Sequence, residues 1–248
     1  MEYFGIDFSA AEASFRRALE LDRDLVYALY EYGLFLYRTG RPDEGLAELR
    51  RAQELDPLNP LPLNGIAIVY QDTRQYDKAL EYFQAVLELA PGQESALSGV
   101  RSTEHAILMQ QGRYVEVAAE AEKAYAEAAG EWGKAESLFL QLRVEWVLGN
   151  KQKVYSVRDS LRSAWGEQER PFSYARLNAI MGEKEKALGL LERAYEESTI
   201  GMAVLVYYPE FDFLRDDPRF KALMQKMGLT EVFDQYGQRI SNLTPVTP

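Results

Sequence analysis

Cysteine is absent from the 248 residues of this chain, and histidine occurs only once, as His105. Without cysteine the chain has no disulfides, no thiolate metal sites and no cysteine nucleophile. His105 has no second histidine with which to form a His-x3-His metal site, and no serine triad is recognisable around it. We therefore interpret His105, which falls in a predicted helix, as a structural or solvated residue.

The usual patterns of nucleotide and catalytic sites are also missing. No Gly-x4-Gly-Lys-Ser/Thr phosphate loop occurs, and no predicted strand precedes Gly92, Gly99 or Gly112. Acidic residues are abundant, 39 in all, but their spacing, as at Glu116 and Glu120, is that of an ordinary solvated helix surface. We expect a protein that is not an enzyme and that binds neither a cofactor nor a metal.

Long apolar runs and an excess of basic residues are lacking too. The chain has no stretch of about 18 uninterrupted apolar residues, and it does not begin with a basic segment followed by an apolar one. We expect no membrane insertion and a cytoplasmic location. The formal charge is −11 and the pI is near 4.8, so phosphate backbones and anionic lipids are repelled. We expect no nucleic-acid partner, and basic surface on any charged partner.

The main positive signal is a pattern that recurs every 34 residues. A small residue is followed four positions later by a large apolar residue, three positions after that by another small residue, and then by proline. Small residues let two helices approach closely, the large one fills the groove between them, and proline ends the helix. This pattern matches the second helix of the tetratricopeptide (TPR) consensus. Its members are Ala11, Phe15 and Ala18, then Gly45, Leu49, Ala52 and Pro57, then Ala79, Phe83, Val86 and Pro91.

First helices precede these second helices. They carry Leu29, Tyr32, Gly33 and Leu36 in the second repeat and Leu63, Ile66, Ala67 and Tyr70 in the third. Turns at Gly40, Gly112, Gly149 and Gly182 and a last pattern at Ala187, Leu191 and Ala194 extend the array. A spacing of 38 residues from Gln75 to Arg113 predicts a longer helix over 94–111. The predicted fold is all-α, a right-handed α-α superhelical solenoid of about five and a half TPR hairpins.

The C-terminal part departs from the repeat. We interpret the apolar run 202–208 as an extended crossing. Asp217 and Pro218 are typical of a helix start, and Gly228 of a helix end, so a C-terminal capping helix is expected over 217–228. The predicted domains are a TPR solenoid over 1–228, including this helix, and a polar C-terminal tail over 229–248.

Three stretches, 7–18, 50–57 and 214–220, resemble the C-terminal TPR arrays of bacterial winged-helix regulators, serine/threonine kinases and adenylate cyclases. The resemblance covers most of residues 7–228 and implies a sensory or scaffolding role. Met1 falls at consensus position 10, so most of the first repeat's opening helix is missing. We expect an unfinished N-terminal edge, in which Phe8, Phe15 and Leu19 are covered by residues 1–6 or by homo-oligomerisation.

The TPR resemblance also implies a concave groove lined by first-helix positions 2, 5, 9, 12 and 13, which we call the groove positions. Tyrosine suits a peptide groove, because it offers a large contact area with few rotatable bonds. Tyr30 and Leu34 stand where carboxylate-clamp TPRs have lysine and asparagine, so an apolar-anchored peptide fits better. The groove positions are Tyr27, Tyr30, Leu34, Tyr37 and Arg38 in the second repeat, and Leu61, Asn64, Ile68, Gln71 and Asp72 in the third.

Three functions remain open. The first is a protein-interaction or scaffolding module that binds a peptide or partner segment in this groove. The second is a self-assembling structural unit, whose N-terminal edge pairs with another copy and whose groove is filled by its own residues 200–213. The third is the sensory or regulatory fragment of a larger bacterial signalling or transcription protein.

Overall fold

The structure of the protein is a computed structural model, and it describes residues 8–128, 130–165, 170–197, 200–230 and 233–234. No β-strand occurs among these residues, so the prediction of an all-α helical-repeat fold is confirmed. The helices are α1 Phe8–Leu21, α2 Val26–Arg38, α3 Pro42–Leu55, α4 Pro60–Asp72, α5 Tyr76–Leu89, α6 Glu94–Gln110, α7 Tyr114–Glu127, α8 Glu131–Val147, α9 Lys151–Trp165, α10 Pro171–Ile180, α11 Lys184–Glu196 and α12 Pro218–Lys226, with two 3-10 helices, η1 Ile200–Tyr207 and η2 Pro209–Leu214.

The order of the helices is the expected one, a lone α1 followed by five pairs of first and second helices. The longer helix predicted near 94–111 is α6, with 17 residues against 13 in α2 and α4. The sequence did not predict that α8 is equally long. The described residues form two compact units, residues 8–107 with 224–234, and residues 108–223. One continuous domain over 1–228 stays a prediction.

Close packing of paired helices holds the first unit together. In α2 and α3, Gly33 and Gly45 face each other so closely that a Cβ atom on Gly45 would lie 2.5 Å from the Gly33 carbonyl oxygen. Leu49 packs over this contact and is completely buried. A Cβ atom on Gly65 of α4 would lie 2.8 Å from the Leu49 side chain, so α4 packs as closely on its other side. The small–large–small pattern in the sequence is therefore the packing pattern of this unit.

The turns between paired helices follow one geometry. At the end of α2, the Arg41 N–H donates to the Leu36 carbonyl at 2.8 Å and the Gly40 N–H donates to the Tyr37 carbonyl at 3.0 Å. This Schellman arrangement needs a left-handed residue after the helix, and glycine adopts that conformation without strain. The residues in that position are Gly40, Gly112, Gly149 and Gly182, with φ of 91°, 71°, 75° and 70°, and Arg74 after α4, with φ of 60°.

The second unit has its own apolar core. Leu142 of α8, Leu161 of α9 and Leu177 of α10 are almost completely buried in one cluster, which joins these three helices. A smaller cluster joins Met109, Val117 and Val144. Since α7 contacts α8 and α10 contacts α11, the apolar faces of the helices in this unit are shared between neighbours.

The interpretation of residues 202–208 as an extended crossing is wrong. Residues 200–207 form η1, and η2 follows after Tyr208. Leu205, Val206 and Phe211 are buried, and the ring of half-buried Tyr208 lies against Phe172 of α10. A strand would place alternate residues inside, whereas here the consecutive residues Leu205 and Val206 are both buried.

The C-terminal helix begins where the sequence predicts. The Asp217 Oδ1 atom accepts a hydrogen bond from the Arg219 N–H at 2.8 Å, Pro218 is the first helical residue, and Gly228 ends the helix with φ of 68°. Leu229 and Phe233 in the predicted polar tail are buried, while residues 235–248 lie outside the described part of the chain. Among the described residues, no helix has the length and apolar character needed to cross a membrane.

We predict opposite effects for two glycine-to-alanine changes. Gly45→Ala should lower the free energy of unfolding by about 2 kcal/mol, because its methyl group would push α2 and α3 apart. Gly189→Ala is the matched control at an exposed position of α11, where an added Cβ meets nothing within 4 Å. It should raise stability by about 0.5–1 kcal/mol through helix propensity. Urea unfolding measures both, and equal effects would contradict the close-approach explanation.

Candidate interaction surfaces

The predicted groove positions of the second and third repeats differ widely in exposure. Tyr27 is 62% exposed, and Arg38 is also exposed at the other end of α2. Tyr30 and Ile68 are half-buried. In contrast, Leu34, Tyr37 and Asn64 are buried, and Gln71 is partly buried. The first four can therefore contact a partner directly, whereas the others shape the surface from beneath.

Tyr37 links two neighbouring first helices. Its hydroxyl donates a short hydrogen bond to the Asp72 Oδ2 atom, and the two residues lie at the ends of α2 and α4. Burial raises the pKa of Asp72 to about 6, although this hydrogen bond acts in the opposite direction. Tyr37 therefore connects two repeats through a carboxyl group whose pKa burial raises to about 6.

Polar groove positions make the next connection, from α4 to α6. Gln71 Nε2 donates to Ser102 Oγ at 2.7 Å and to Thr103 Oγ1 at 2.8 Å. At the other end of α4, Ser95 Oγ donates to Asn64 Oδ1 at 3.5 Å. These contacts bind one repeat to the next, because each polar group finds its partner on the following first helix.

The accessible groove positions centre on two tyrosines of α2. The rings of Tyr27 and Tyr30 lie 6.3 Å apart in a tilted arrangement, one helical turn from each other. The Glu31 carboxylate raises the pKa of Tyr27, and burial raises the pKa of Tyr30, so both hydroxyls stay protonated and can donate. Leu61, at the start of α4, is also exposed. The surface is thus aromatic and apolar with polar tips.

The N-terminal edge is partly covered by α2. Phe15 of α1 is half-buried, with its ring centroid 5.7 Å from that of Tyr32 and 5.4 Å from that of Phe35. Glu12 accepts hydrogen bonds from Arg41 at 2.8 Å and from Arg16 at 2.7 Å, and the Arg41 bond contributes most to lowering the pKa of Glu12 to about 2. Residues 1–6 and the Phe8 side chain lie outside the described residues, so the proposed cover of this edge stays a prediction.

The second unit contains groove positions that the sequence analysis missed. Taking Ala187 as consensus position 20 places Phe172 and Arg176 at positions 5 and 9 of α10. Taking Val154 in the same way places Glu136, Phe139 and Arg143 at positions 2, 5 and 9 of α8. Counting back from the buried small residue of each second helix would have identified all five, even though the repeat period drifts.

Arg176 is the centre of this second set. Its guanidinium lies between two rings, 4.2 Å from the Phe139 centroid and 4.4 Å from the Tyr208 centroid. It donates to Glu210 Oε1 at 2.7 Å and to Glu136 Oε1 at 2.9 Å. Arginine suits this place because its planar, weakly hydrated group stacks on rings and pairs with carboxylates at once.

Arg176 and Glu210 form a buried ion pair, and each group holds the other in its charged form. Burial alone would lower the pKa of Arg176, but the Glu210 and Glu136 carboxylates raise it above its usual value. Burial would raise the pKa of Glu210, but Arg176 and Arg143 lower it below its usual value. Both groups are therefore charged at neutral pH, and η2 is tied to the groove positions of α8 and α10. In this unit those positions contact the chain's own residues 208–211.

The described residues contain no group of three or more histidine, aspartate or glutamate side chains arranged to hold a metal ion. His105, the single histidine, is buried in α6. The accessible groove positions of α2 and α4 offer aromatic and apolar contact area with polar tips, as binding surfaces commonly do.

The fold is that of an all-α helical-repeat protein. Tetratricopeptide repeat models match residues 7–60 and 60–93. A crystal structure of a tetratricopeptide repeat protein from Parabacteroides merdae has a TM-score of 0.51 and 18% identity, and the similarity covers 95% of this chain and 93% of that one. Residues 7–93 therefore match tetratricopeptide repeats, and the fold of the chain is that of a tetratricopeptide repeat protein. The finer resemblance to arrays of winged-helix regulators, kinases and cyclases stays a prediction.

Two curated proteins are similar over part of the chain. Anaphase-promoting complex subunit 3 of Schizosaccharomyces pombe is 27% identical over 103 residues, covering 42% of this chain and 15% of that protein. Photosystem I assembly protein Ycf3 of Rippkaea orientalis is 28% identical over 102 residues, covering 34% of this chain and 59% of that protein. This chain therefore spans less than two thirds of either relative.

We predict that Asp72→Asn changes the pH dependence of stability. A carboxyl with a raised pKa stabilises the fold while it is protonated, and that contribution is lost as the pH rises from about 4 through about 6. The variant should therefore gain about 2 kcal/mol over the wild type between pH 4 and pH 7.5. Urea unfolding at both pH values measures the difference, and parallel pH profiles would contradict it.

We predict that Arg176→Met is strongly destabilising, by about 3 kcal/mol, because it leaves the Glu210 carboxylate buried without its partner. Adding Glu210→Gln should recover part of the loss. The matched control is Arg219→Met, which removes an arginine from an exposed pair with Glu192 and should cost less than about 1 kcal/mol. Similar losses in both single variants, measured by urea unfolding, would refute the buried-pair explanation.

Proposed function

We propose that the chain is a non-catalytic interaction module that holds a peptide or partner segment against the groove positions of α2 and α4. Helical-repeat proteins of this family generally mediate protein–protein interaction through such extended surfaces. The observation that carries the proposal is the aromatic pair of exposed Tyr27 and half-buried Tyr30 at two groove positions of one helix.

The physical argument is that this surface is rigid and amphipathic before any partner binds. Tyr30 packs beside Gly65, where an added Cβ would lie 3.2 Å from its ring. Buried Leu34, Tyr37 and Asn64 fix the helices beneath. Few side-chain rotations are lost when a partner covers such tyrosines, so more of the contact energy appears as affinity. Ile68 and Arg38 add an apolar and a cationic contact at the sides.

The relatives favour the same class of function. One is a subunit of the anaphase-promoting complex and the other is a photosystem I assembly protein, and both names describe work within protein assemblies. The partner proposed for this chain is a protein or peptide with apolar anchors. A cytoplasmic location, assembly through the N-terminal edge and a sensory role in a larger protein stay predictions.

The test uses peptides enriched on the chain from a random library displayed on phage. Tyr27→Ala with Tyr30→Ala should weaken their binding about tenfold or more, because aromatic anchors dominate such interfaces. Isothermal titration measures the affinity. Tyr125→Ala on α7 is the matched control, since this tyrosine is also exposed but lies on a second helix.

Circular dichroism should show that the double variant keeps its helix content. If the enriched peptides bind the double variant as tightly as the wild type, the proposed groove is not the binding site. Loss of binding in the Tyr125→Ala control alone would lead to the same conclusion.

A further inference from the structure

A second surface of the first unit lies at the turns that connect one repeat to the next. The three turns close with the same backbone hydrogen bonds, 34 residues apart. The N–H groups of Asp22, Asp56 and Ala90 donate to the carbonyls of Ala18, Ala52 and Val86 at 3.0, 3.2 and 2.8 Å. The N–H groups of Leu25, Asn59 and Gln93 then donate to the carbonyls of Asp22, Asp56 and Ala90 at 3.5, 3.1 and 3.0 Å. Equivalent residues therefore have the same place in each turn.

Each turn begins with an exposed leucine. Leu21, Leu55 and Leu89 are the last residues of α1, α3 and α5, and they are 73%, 42% and 39% exposed. We call these three residues the leucine row. Leu25 and Leu58, within the turns, are 43% and 77% exposed. Single exposed leucines are ordinary. A set repeated at equivalent positions forms an apolar surface, and its exposure to water is energetically unfavourable.

The turns are held in place, so this surface is formed in advance. Arg51 of α3 donates to the Arg23 carbonyl at 2.6 Å and to Asp24 Oδ1 at 3.3 Å, which fixes the first turn against the second repeat. Asn59 Oδ1 accepts from the Leu61 N–H at 3.1 Å and caps α4 directly after Leu58. The leucines therefore project from ordered turns.

Acidic residues surround the leucine row. Glu20, Glu54 and Glu88 directly precede the three leucines, and all are exposed. Segments 20–25, 54–58 and 88–94 together contain seven acidic residues and one basic residue. Glu54 and Glu88 form no ion pair with any residue that the structure describes. The surface is thus apolar at its centre and negative at its margin.

From this combination we infer that the leucine row is a docking surface for a basic amphipathic helix of a partner protein. The apolar face of such a helix would cover the leucines, and its lysines or arginines would lie beside the glutamates. A second copy of this chain fits less well because it would bring the same acidic margin, and an anionic membrane would be repelled. The leucine row ends the second helices, whereas the groove positions lie on the first helices, and the inference does not depend on the proposed function.

The test uses two synthetic helical peptides with the same leucine pattern, one with lysine and one with glutamate on the polar face. The wild-type chain should bind the lysine peptide and not the glutamate peptide. Leu55→Ser with Leu58→Ser should weaken that binding about tenfold or more. Glu54→Lys with Glu88→Lys should reverse the preference between the two peptides. Fluorescence anisotropy measures all of these affinities.

Two controls separate this surface from others. Val115→Ser changes a residue of α7 that is 73% exposed, and it should leave binding unchanged. Arg38→Ala, at the groove position on the far end of α2, should also leave binding of the lysine peptide unchanged. Binding at the leucine row can therefore be tested apart from binding in the groove. Thermal unfolding should show the leucine variant to be as stable as the wild type, because both leucines are exposed.

Four results would overturn the inference. The first is that the lysine peptide does not bind the wild type, and the second is that it binds the leucine variant equally well, since charge alone would then explain it. The third is wild-type self-association in sedimentation that the leucine variant loses, which would assign the surface to a second copy. The fourth is binding to phosphatidylserine vesicles that the leucine variant loses.

Discussion

The contact between α2 and α3 is possible only because two glycines face each other. Gly33 and Gly45 let the backbones approach until no Cβ atom fits between them, and Leu49 closes the contact from above. This spacing brings Tyr37 into reach of Asp72 on the next first helix, and it orients Tyr27 and Tyr30 on the accessible side of α2. The candidate surfaces of the first unit therefore depend on the packing of one hairpin.

The two units use the same groove positions in different ways. In the first unit, Tyr27 and Tyr30 remain accessible, and polar groups such as Gln71 connect one first helix to the next. In the second unit, Phe172 and Arg176 contact the chain's own η2. Equivalent positions of one repeat architecture are thus accessible in one unit and covered by the chain's own residues in the other.

Most of the helices could be predicted because the signals for them are local. A small residue at Ala79 with Phe83 four positions later, or a glycine such as Gly149 after a helix, specifies structure within one or two turns of chain. The prediction of an extended segment over 202–208 was wrong because a short apolar run has no periodicity that distinguishes a strand from a helix. The helix positions of Tyr27 and Tyr30 follow from register alone, but the hydrogen bond from Tyr37 to Asp72, 35 residues away, does not.

The order of residues along the chain was enough to predict the tetratricopeptide pattern and the register of the hairpins, since both follow from a period of 34 residues or from a turn motif. Which side chains at the groove positions are accessible depends instead on tertiary packing. Arg176 lies between Phe139 and Tyr208 and pairs with the Glu210 carboxylate, 34 residues away. No local sequence pattern specifies these contacts. The repeat specifies the position of a residue along its helix, whereas the exposure of its side chain depends on which residues of the neighbouring helices pack against it.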